Sequence, residues 1–306
     1  MNLARLVAID WGTSNLRASL LGDDATVIET RSAAGGVMAV PERRFEAALR
    51  ALCGDWVDAG TPLIASGMIG SRQGWHEAPY AACPAGLAQA AAQLVRVSLD
   101  SGAALHIVPG LRCIGADGQH DVMRGEETQL WGADLAPGSV AVLPGTHAKW
   151  AWLGAQGDIA SFQTYMTGEL YGLCTRHGIL GRLMRFDDAA PLQRDAFVRG
   201  ARLGLAEHGN ATHVLFAART AGLMGEVAPE ALPDFLSGLL IGIEIGSATQ
   251  RTRPLAVTLI GDEALCTRYA TALDCAGIRS ATASEAATTR GQWRVAQAAG
   301  LMNAHR

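Results

Sequence analysis

Two short stretches of the chain carry the same grouping of small and polar residues. From Val7 to Asp24 it reads VAIDWGTSNLRASLLGDD, an apolar run meeting Asp10 and then Gly12, Thr13, Ser14 and Asn15. From Val140 to Gly154 it reads VAVLPGTHAKWAWLG, with Gly145, Thr146, His147 and Lys149 after the apolar run. A Gly-Thr turn offers backbone N–H groups and a hydroxyl, which together suit a phosphate oxyanion. Glycine lets the backbone come close to such a ligand. Asp10 at a strand end suits Mg²⁺, which keeps much of its water shell and takes one or two carboxylates. The expected phosphate-binding set is therefore Gly12, Thr13, Ser14, Asn15 and Arg17 from the first stretch, and Gly145, Thr146, His147 and Lys149 from the second. No GxxxxGK[ST] motif is present, so a P-loop is excluded. A third stretch, VTLIGDEALCTRYATAL, delivers Gly261 and Asp262 from a strand to a helix start, where bare backbone can meet an adenine ring.

These groups need a frame. With Val7 set over Val140, six positions match without a gap: Val7, Ala8, Gly12, Thr13, Ala18 and Leu20 lie over identical residues. Gly12 and Gly145 stand 133 positions apart, which suggests two related lobes begun by the same strand-turn-strand unit. Around them helix and strand patterns interleave. PERRFEAALRALCGDWVDAG, AGLAQAAAQLVRV, TGELYGLCTRHGILGRLM and PDFLSGLLIGIEIGSATQ predict helices, and PLIASGMIG, ALHIVPGL and GDIASFQTYM predict strands. The expected class is α/β with two lobes and a cleft between them, 1–135 and 136–306.

The chain has 306 residues, enough for two domains and a large core. The six cysteines form no CxxC pair and suggest neither a zinc site nor a disulfide framework. A net charge of −4 without a basic block argues against a nucleic-acid surface. No apolar run reaches the length of a membrane span, and the first residues lack a signal-peptide pattern, so a soluble cytoplasmic protein is expected. Of 25 basic residues 24 are arginine, and Lys149 alone is lysine. A compact ammonium at one place is consistent with a site that a planar guanidinium does not suit.

The order of hairpin, second hairpin and late glycine turn resembles the actin, hexokinase and Hsp70 superfamily, whose ribonuclease H-like lobes bind ATP between them. More narrowly, AIDWGTSNLRASL, GMIGSRQGWHEAPYAACPAGL, DVMRGEETQLWG, LPGTHAKW, TYMTGELYGL and FLSGLLIG look like the 2-dehydro-3-deoxygalactonokinase family. The resemblance implies ATP and Mg²⁺ as cofactors, phosphorylation of a 2-keto-3-deoxy sugar acid at O6, Gly261 and Asp262 at the adenosine, and, by analogy, a homodimer. It also points to Glu126 in RGEETQLWG as the base that accepts the hydroxyl proton. Related sugar kinases carry Gly-Asp or Asn-Asp there, so the glutamate departs from the pattern. Glu127 and Asp121 stay open as alternatives, and acids in a first helical turn also serve as caps.

A sugar acid asks for a fixed arginine. The loop GMIGSRQGWHEAPY supplies Arg72 as first candidate, Trp75 as a wall, and Glu77 or Tyr80 for hydroxyls. Arg124 is the second candidate. The competing readings are a kinase for another sugar on the same fold and a non-catalytic sugar sensor. Asp10, both Gly-Thr turns and an acid at 126 favour turnover.

Overall fold

The computed structural model describes residues 6–58, 60–187, 190–250, 252–284 and 286–303. The extreme ends of the two expected lobes, 1–5 and 304–306, lie outside these residues. The chain divides into two compact units, one of residues 1–138, 152–162 and 284–306, the other of 139–151 and 163–283.

The first unit opens with β1 (Leu6–Trp11), β2 (Asn15–Leu21) and β3 (Val27–Ala34), followed by α1 (Phe45–Cys53) and β4 (Pro62–Ser66). Then come β5 (Tyr80–Ala82), α2 (Leu87–Ala92), β6 (Val95–Ser98), β7 (Ala104–Ile107), β8 (Gly110–Ile114), β9 (His120–Met123) and α3 (Glu126–Gly132). The main sheet has the order β3-β2-β1-β4-β7-β6. β1, β2 and β3 form an antiparallel meander, whereas β4 and β7 run parallel to β1. The run Leu6 to Ile9 is apolar at every position and is buried at every position, as a central strand requires. Val7, Ile9 and Trp11 pack with Phe45, Leu49 and Cys53, the apolar stripe of α1. Ala8 and Asp10 point to the other face. A small three-stranded sheet, β5-β8-β9, leads from its last strand into α3.

The second sheet combines β10 (Val140–Leu143), β11 (Ala148–Leu153), β12 (Ile159–Tyr165), β13 (Ala256–Leu259) and β14 (Arg279–Thr282), in the order β12-β11-β10-β13-β14. The helices of the second unit are α4 (Thr167–Arg176), α5 (Arg194–Ala206), α6 (Ala211–Val214), α7 (Ala217–Leu223), α8 (Leu232–Ala248) and α9 (Glu263–Cys275). α5 and α8 meet backbone to backbone: a Cβ on Gly238 would stand 2.0 Å from the Phe197 carbonyl oxygen, and one on Gly200 2.1 Å from that of Phe235. β10 and β13 run parallel, as do β13 and β14. The six-stranded and five-stranded sheets thus share the order third, second, first, fourth, after which the first continues with β7 and β6 and the other with β14, and the 133-residue echo sets β1 on β10. This is the α/β, ribonuclease H-like arrangement that the resemblance implies.

A single cut at 135/136 does not describe the compact units. The last helix, α10 (Ala287–Ala298), belongs to the first unit. Its Gly291 and Gly132 of α3 allow close approach: a Cβ on either would stand within 2 Å of a carbonyl oxygen of the other helix. Arg290 and Arg294 both pair with Asp134, and the Gln292 side chain donates to Ile9 O at 2.6 Å and Ser66 Oγ at 2.9 Å. A helix at the chain's end is local in sequence, but its small and polar face matches β1, β4 and α3. No helix among the described residues is long and apolar enough to cross a membrane.

Candidate active site

In the first unit the turn Gly12–Ser14 is braced from beneath. Gly12 N–H donates to Asn15 O at 3.0 Å, Gly36 N–H to Ser14 O at 3.0 Å, and Val37 N–H to Gly12 O at 3.0 Å. The Trp11 indole N–H adds a bond to Gly35 O at 3.1 Å. Thr13, Ser14 and Asn15 stay exposed above this support. Asp10 is opposite Arg17 in the β1–β2 register and beside Ser66 in the β1–β4 register. Burial pushes its carboxyl above the ordinary range, and the Arg17 charge partly offsets that. Both side chains line a polar cavity of about 470 Å³ with Ser19, Thr30, Thr289 and Gln292. Arg17 thus belongs to the sheet face beside Asp10 and not to the turn.

Glu126 reaches the same neighbourhood through two glycines. β4 ends at Ser66, and Gly67 follows with φ +92°, so close that a Cβ would be 2.9 Å from Trp11 O and 3.4 Å from Asp10 Oδ1. Gly125, with φ +111°, has its Cβ position 3.3 Å from Gly67 Cα. Both need the left-handed half of backbone space and have no room for a side chain. Directly after Gly125, Glu126 starts α3 with Oε2 accepting from Arg124 N–H at 3.0 Å. Glu127 turns inward instead. It is fully buried, accepts from Gly125 N–H at 2.7 Å and from the Thr128 hydroxyl at 3.0 Å. Burial first, and the Glu126 charge second, push its carboxyl up to about 8. That shift favours the protonated form of Glu127 at neutral pH, while Glu126 remains half-buried. Asp121 stays on β9, where it accepts from Val122 N–H.

The two arginine candidates part company. The Arg72 side chain is 83 % exposed and its Nε pairs with Glu77 at 2.9 Å. Arg124 lies with its guanidinium 4.3 Å from the Tyr80 ring centre, and Nη2 donates to Ala78 O at 2.7 Å. Its Nε and Nη1 are buried with no hydrogen-bond partner among the described residues. Trp75 stacks on Phe45, centroids 6.0 Å apart, and so belongs to the edge of the core. The expectation that Arg72 and Glu77 face a ligand does not match their mutual surface pairing; Arg124 and Tyr80 form the more enclosed pair.

In the second unit the turn Gly145–His147 rests on the start of α4. Glu169 N–H donates to Thr146 O at 3.0 Å, and a Cβ on Gly168 would be 2.5 Å from Gly145 O. His147 Nε2 and Glu169 Oε2 are 2.5 Å apart. Gly261 lies against the same turn, its Cβ position 3.5 Å from Pro144 O. The Asp262 carboxylate caps α9 by accepting from Leu265 N–H at 3.0 Å. Lys149 departs from its expected phosphate-facing place. It is 3 % exposed, on a strand buried at nearly every position, and its ammonium donates to His147 O at 2.7 Å. Glu169, Gln292 and the glycine pair Gly67/Gly125 were not singled out from the sequence. Glu169 lies in the TGELYG motif, Gly125 in RGEE and Gly67 in GMIG, whereas Gln292 lies in none of these.

A matched pair of ribonuclease H-like sheets, each sending its first strand into a Gly-Thr turn, is the architecture of the actin-like ATPases and sugar kinases. The chain belongs to the 2-keto-3-deoxy-galactonokinase family, whose model matches residues 10–295. It is 39 % identical over 279 residues to the Escherichia coli (strain K12) protein named 2-dehydro-3-deoxygalactonokinase, covering 90 % of this chain and 91 % of that one. It is also similar to the crystal structure of a Sinorhizobium meliloti protein described provisionally as a 2-dehydro-3-deoxygalactonokinase. That match has TM-score 0.87 and 34 % identity, and covers 96 % of this chain and 98 % of the other.

Proposed function

We propose that this chain transfers the γ-phosphoryl group of ATP to O6 of 2-dehydro-3-deoxygalactonate. The observation that carries the acceptor is Arg124, a guanidinium held on Tyr80 with two buried nitrogens, Nε and Nη1, left over for a carboxylate. Residue by residue, we assign the acceptor carboxylate to Arg124, the phosphates to Gly12–Asn15 and to Gly145–His147, and the adenosine to Gly261. Glu126 takes the O6 proton as the O6–P bond forms and the bond from the γ-phosphorus to the bridging oxygen breaks. Glu127, neutral and tied to Gly125 N–H, holds that loop in place.

Asp10 is the residue that fits Mg²⁺. Its half-buried carboxylate borders a polar cavity, and no group of three or more metal-ligating side chains occurs among the described residues. A mostly hydrated ion taking one carboxylate matches that donor set. Bound there, the ion would supply charge neutralisation for the phosphates. A cytoplasmic homodimer is the setting we assign, on the resemblance.

The test is ADP release from Mg-ATP with a panel of 2-dehydro-3-deoxygalactonate, its gluconate epimer, galactonate and neutral hexoses. Turnover confined to the keto-deoxy acids supports the proposal. Faster turnover of neutral hexoses overturns the carboxylate role of Arg124.

A further inference from the structure

The interior of the second unit buries two ionisable side chains, Glu244 and Lys149, that have no direct part in the proposed chemistry. Glu244 on α8 is 1 % exposed. Its carboxylate accepts from Trp150 Nε1 at 2.8 Å, from the Thr167 hydroxyl at 2.5 Å and from the Tyr269 hydroxyl at 2.7 Å. Burial pushes its carboxyl above the ordinary range, and the bonds from Thr167, Tyr269 and Trp150, with the Lys149 charge after them, partly offset that. A buried polar cluster of this kind is a weak way to add stability, since neutral side chains of similar volume often do as well. It is an effective way to fix directions, because each lone pair must find its donor.

The donors come from the three elements next to the proposed ATP groups. Lys149 and Trp150 are on β11, directly after the Gly145–His147 turn. Thr167 begins α4, whose Gly168 and Glu169 back that turn. Tyr269 is on α9, which starts at the Gly261–Asp262 turn. One carboxylate thus ties all three to α8, and Lys149 adds a bond to the carbonyl of the turn's last residue.

We propose that Glu244 and Lys149 are positioning residues for ATP, holding the Gly145–His147 turn and the Gly261 turn in register; this rests on the phosphate role proposed for the first of these turns. It also accounts for the chain's single lysine. The enclosed site needs a small ammonium, and the planar five-donor fork of arginine does not fit.

The experiment is steady-state kinetics of the full chain with Mg-ATP and 2-dehydro-3-deoxygalactonate, each varied in turn, with thermal unfolding of every variant. Glu244→Gln and Lys149→Met are expected to raise KM for ATP by about tenfold or more while the acceptor KM moves less than about twofold. Lys149→Arg is expected to give no rescue. Gly145→Val tests the underlying reading separately, because a Cβ there meets nothing within 4 Å and the side chain is added on the ligand side proposed for the turn. A raised ATP KM in Gly145→Val with both interior variants within about twofold of the parent overturns the positioning role alone. An unchanged ATP KM in Gly145→Val overturns the reading of the turn and the proposal with it. Equal rises in both KM values that follow the loss of unfolding temperature assign the pair to stability and also overturn it. If Glu244→Gln does not fold, Tyr269→Phe removes one donor at constant volume and is expected to raise the ATP KM about threefold.

Discussion

The Arg124 guanidinium lies 4.3 Å from the centre of the Tyr80 ring, with one nitrogen bonded to Ala78 O and two others buried without a partner among the described residues. A buried donor without an acceptor costs about 1–3 kcal/mol, more when charged. A bound carboxylate would recover that cost, so the arrangement favours an anionic ligand.

Arg124→Met should therefore lower kcat/KM for the acceptor by roughly 30-fold to 300-fold, through KM, by the worth of a charge-assisted pair. Arg72→Ala, which removes only an exposed pair, should change it less than about twofold. Comparable losses in the two variants would return Arg72 to the pocket.

The adjacent acids should behave differently. Glu126→Gln removes the proton acceptor and is expected to lower kcat by about a hundredfold to ten-thousandfold with the ATP KM little changed. Glu127→Gln keeps a neutral side chain where a neutral one already stands, so its kcat should stay within about fivefold of the parent at pH 7. If Glu127→Gln is the inactive one, the assignment of base is reversed.

Glu127 also predicts a pH dependence of stability. Its carboxyl is pushed up to about 8 in the fold from an ordinary value of 4.5. Between these values the folded chain holds a proton that the unfolded chain has lost. The contribution is thus fully present below 4.5, declines as pH rises, and is lost above about 8. Its size is on the order of a few kcal/mol. Thermal unfolding of the parent should fall from pH 6 to pH 9 more steeply than that of Glu127→Gln; parallel curves would contradict the buried protonated state.

The crossing of α5 and α8 gives a purely structural prediction. A methyl at residue 238 meets the Phe197 carbonyl at 2.0 Å, far inside van der Waals contact. Gly238→Ala should cost about 1–3 kcal/mol or more, since two backbones must separate. Gly157→Ala, with open space at its Cβ position, pays only the strain of its φ of +79°. An unfolding temperature for Gly238→Ala equal to the parent's would show that the helices part freely.

Much was legible because the relevant forces are local. Strand against helix follows from apolar spacing, and the echo of VAID with VAVL announced two like sheets because equivalent strands need equivalent burial. Even so, AGLAQAAAQLVRV was expected to be helical throughout, whereas α2 stops at Ala92 and Val95–Ser98 form β6. A β-branched end to a helical pattern is decided by the neighbouring strand β7, not by local preference. The three-stranded sheet β5-β8-β9 had no local signal of comparable strength.

The residue types needed for phosphate, metal and carboxylate chemistry stand in the sequence itself, as do the two Gly-Thr turns and the acid pair at 126 and 127. Which arginine keeps unpaired donors, which glutamate is buried and protonated, and which way Lys149 faces were decided only by tertiary structure. The reason is physical: charge state and availability depend on desolvation and on partners distant in the chain. Arg124 is set by Tyr80 and Ala78, Glu244 by Trp150, Thr167 and Tyr269, and the closing helix by Ile9, Ser66 and Asp134.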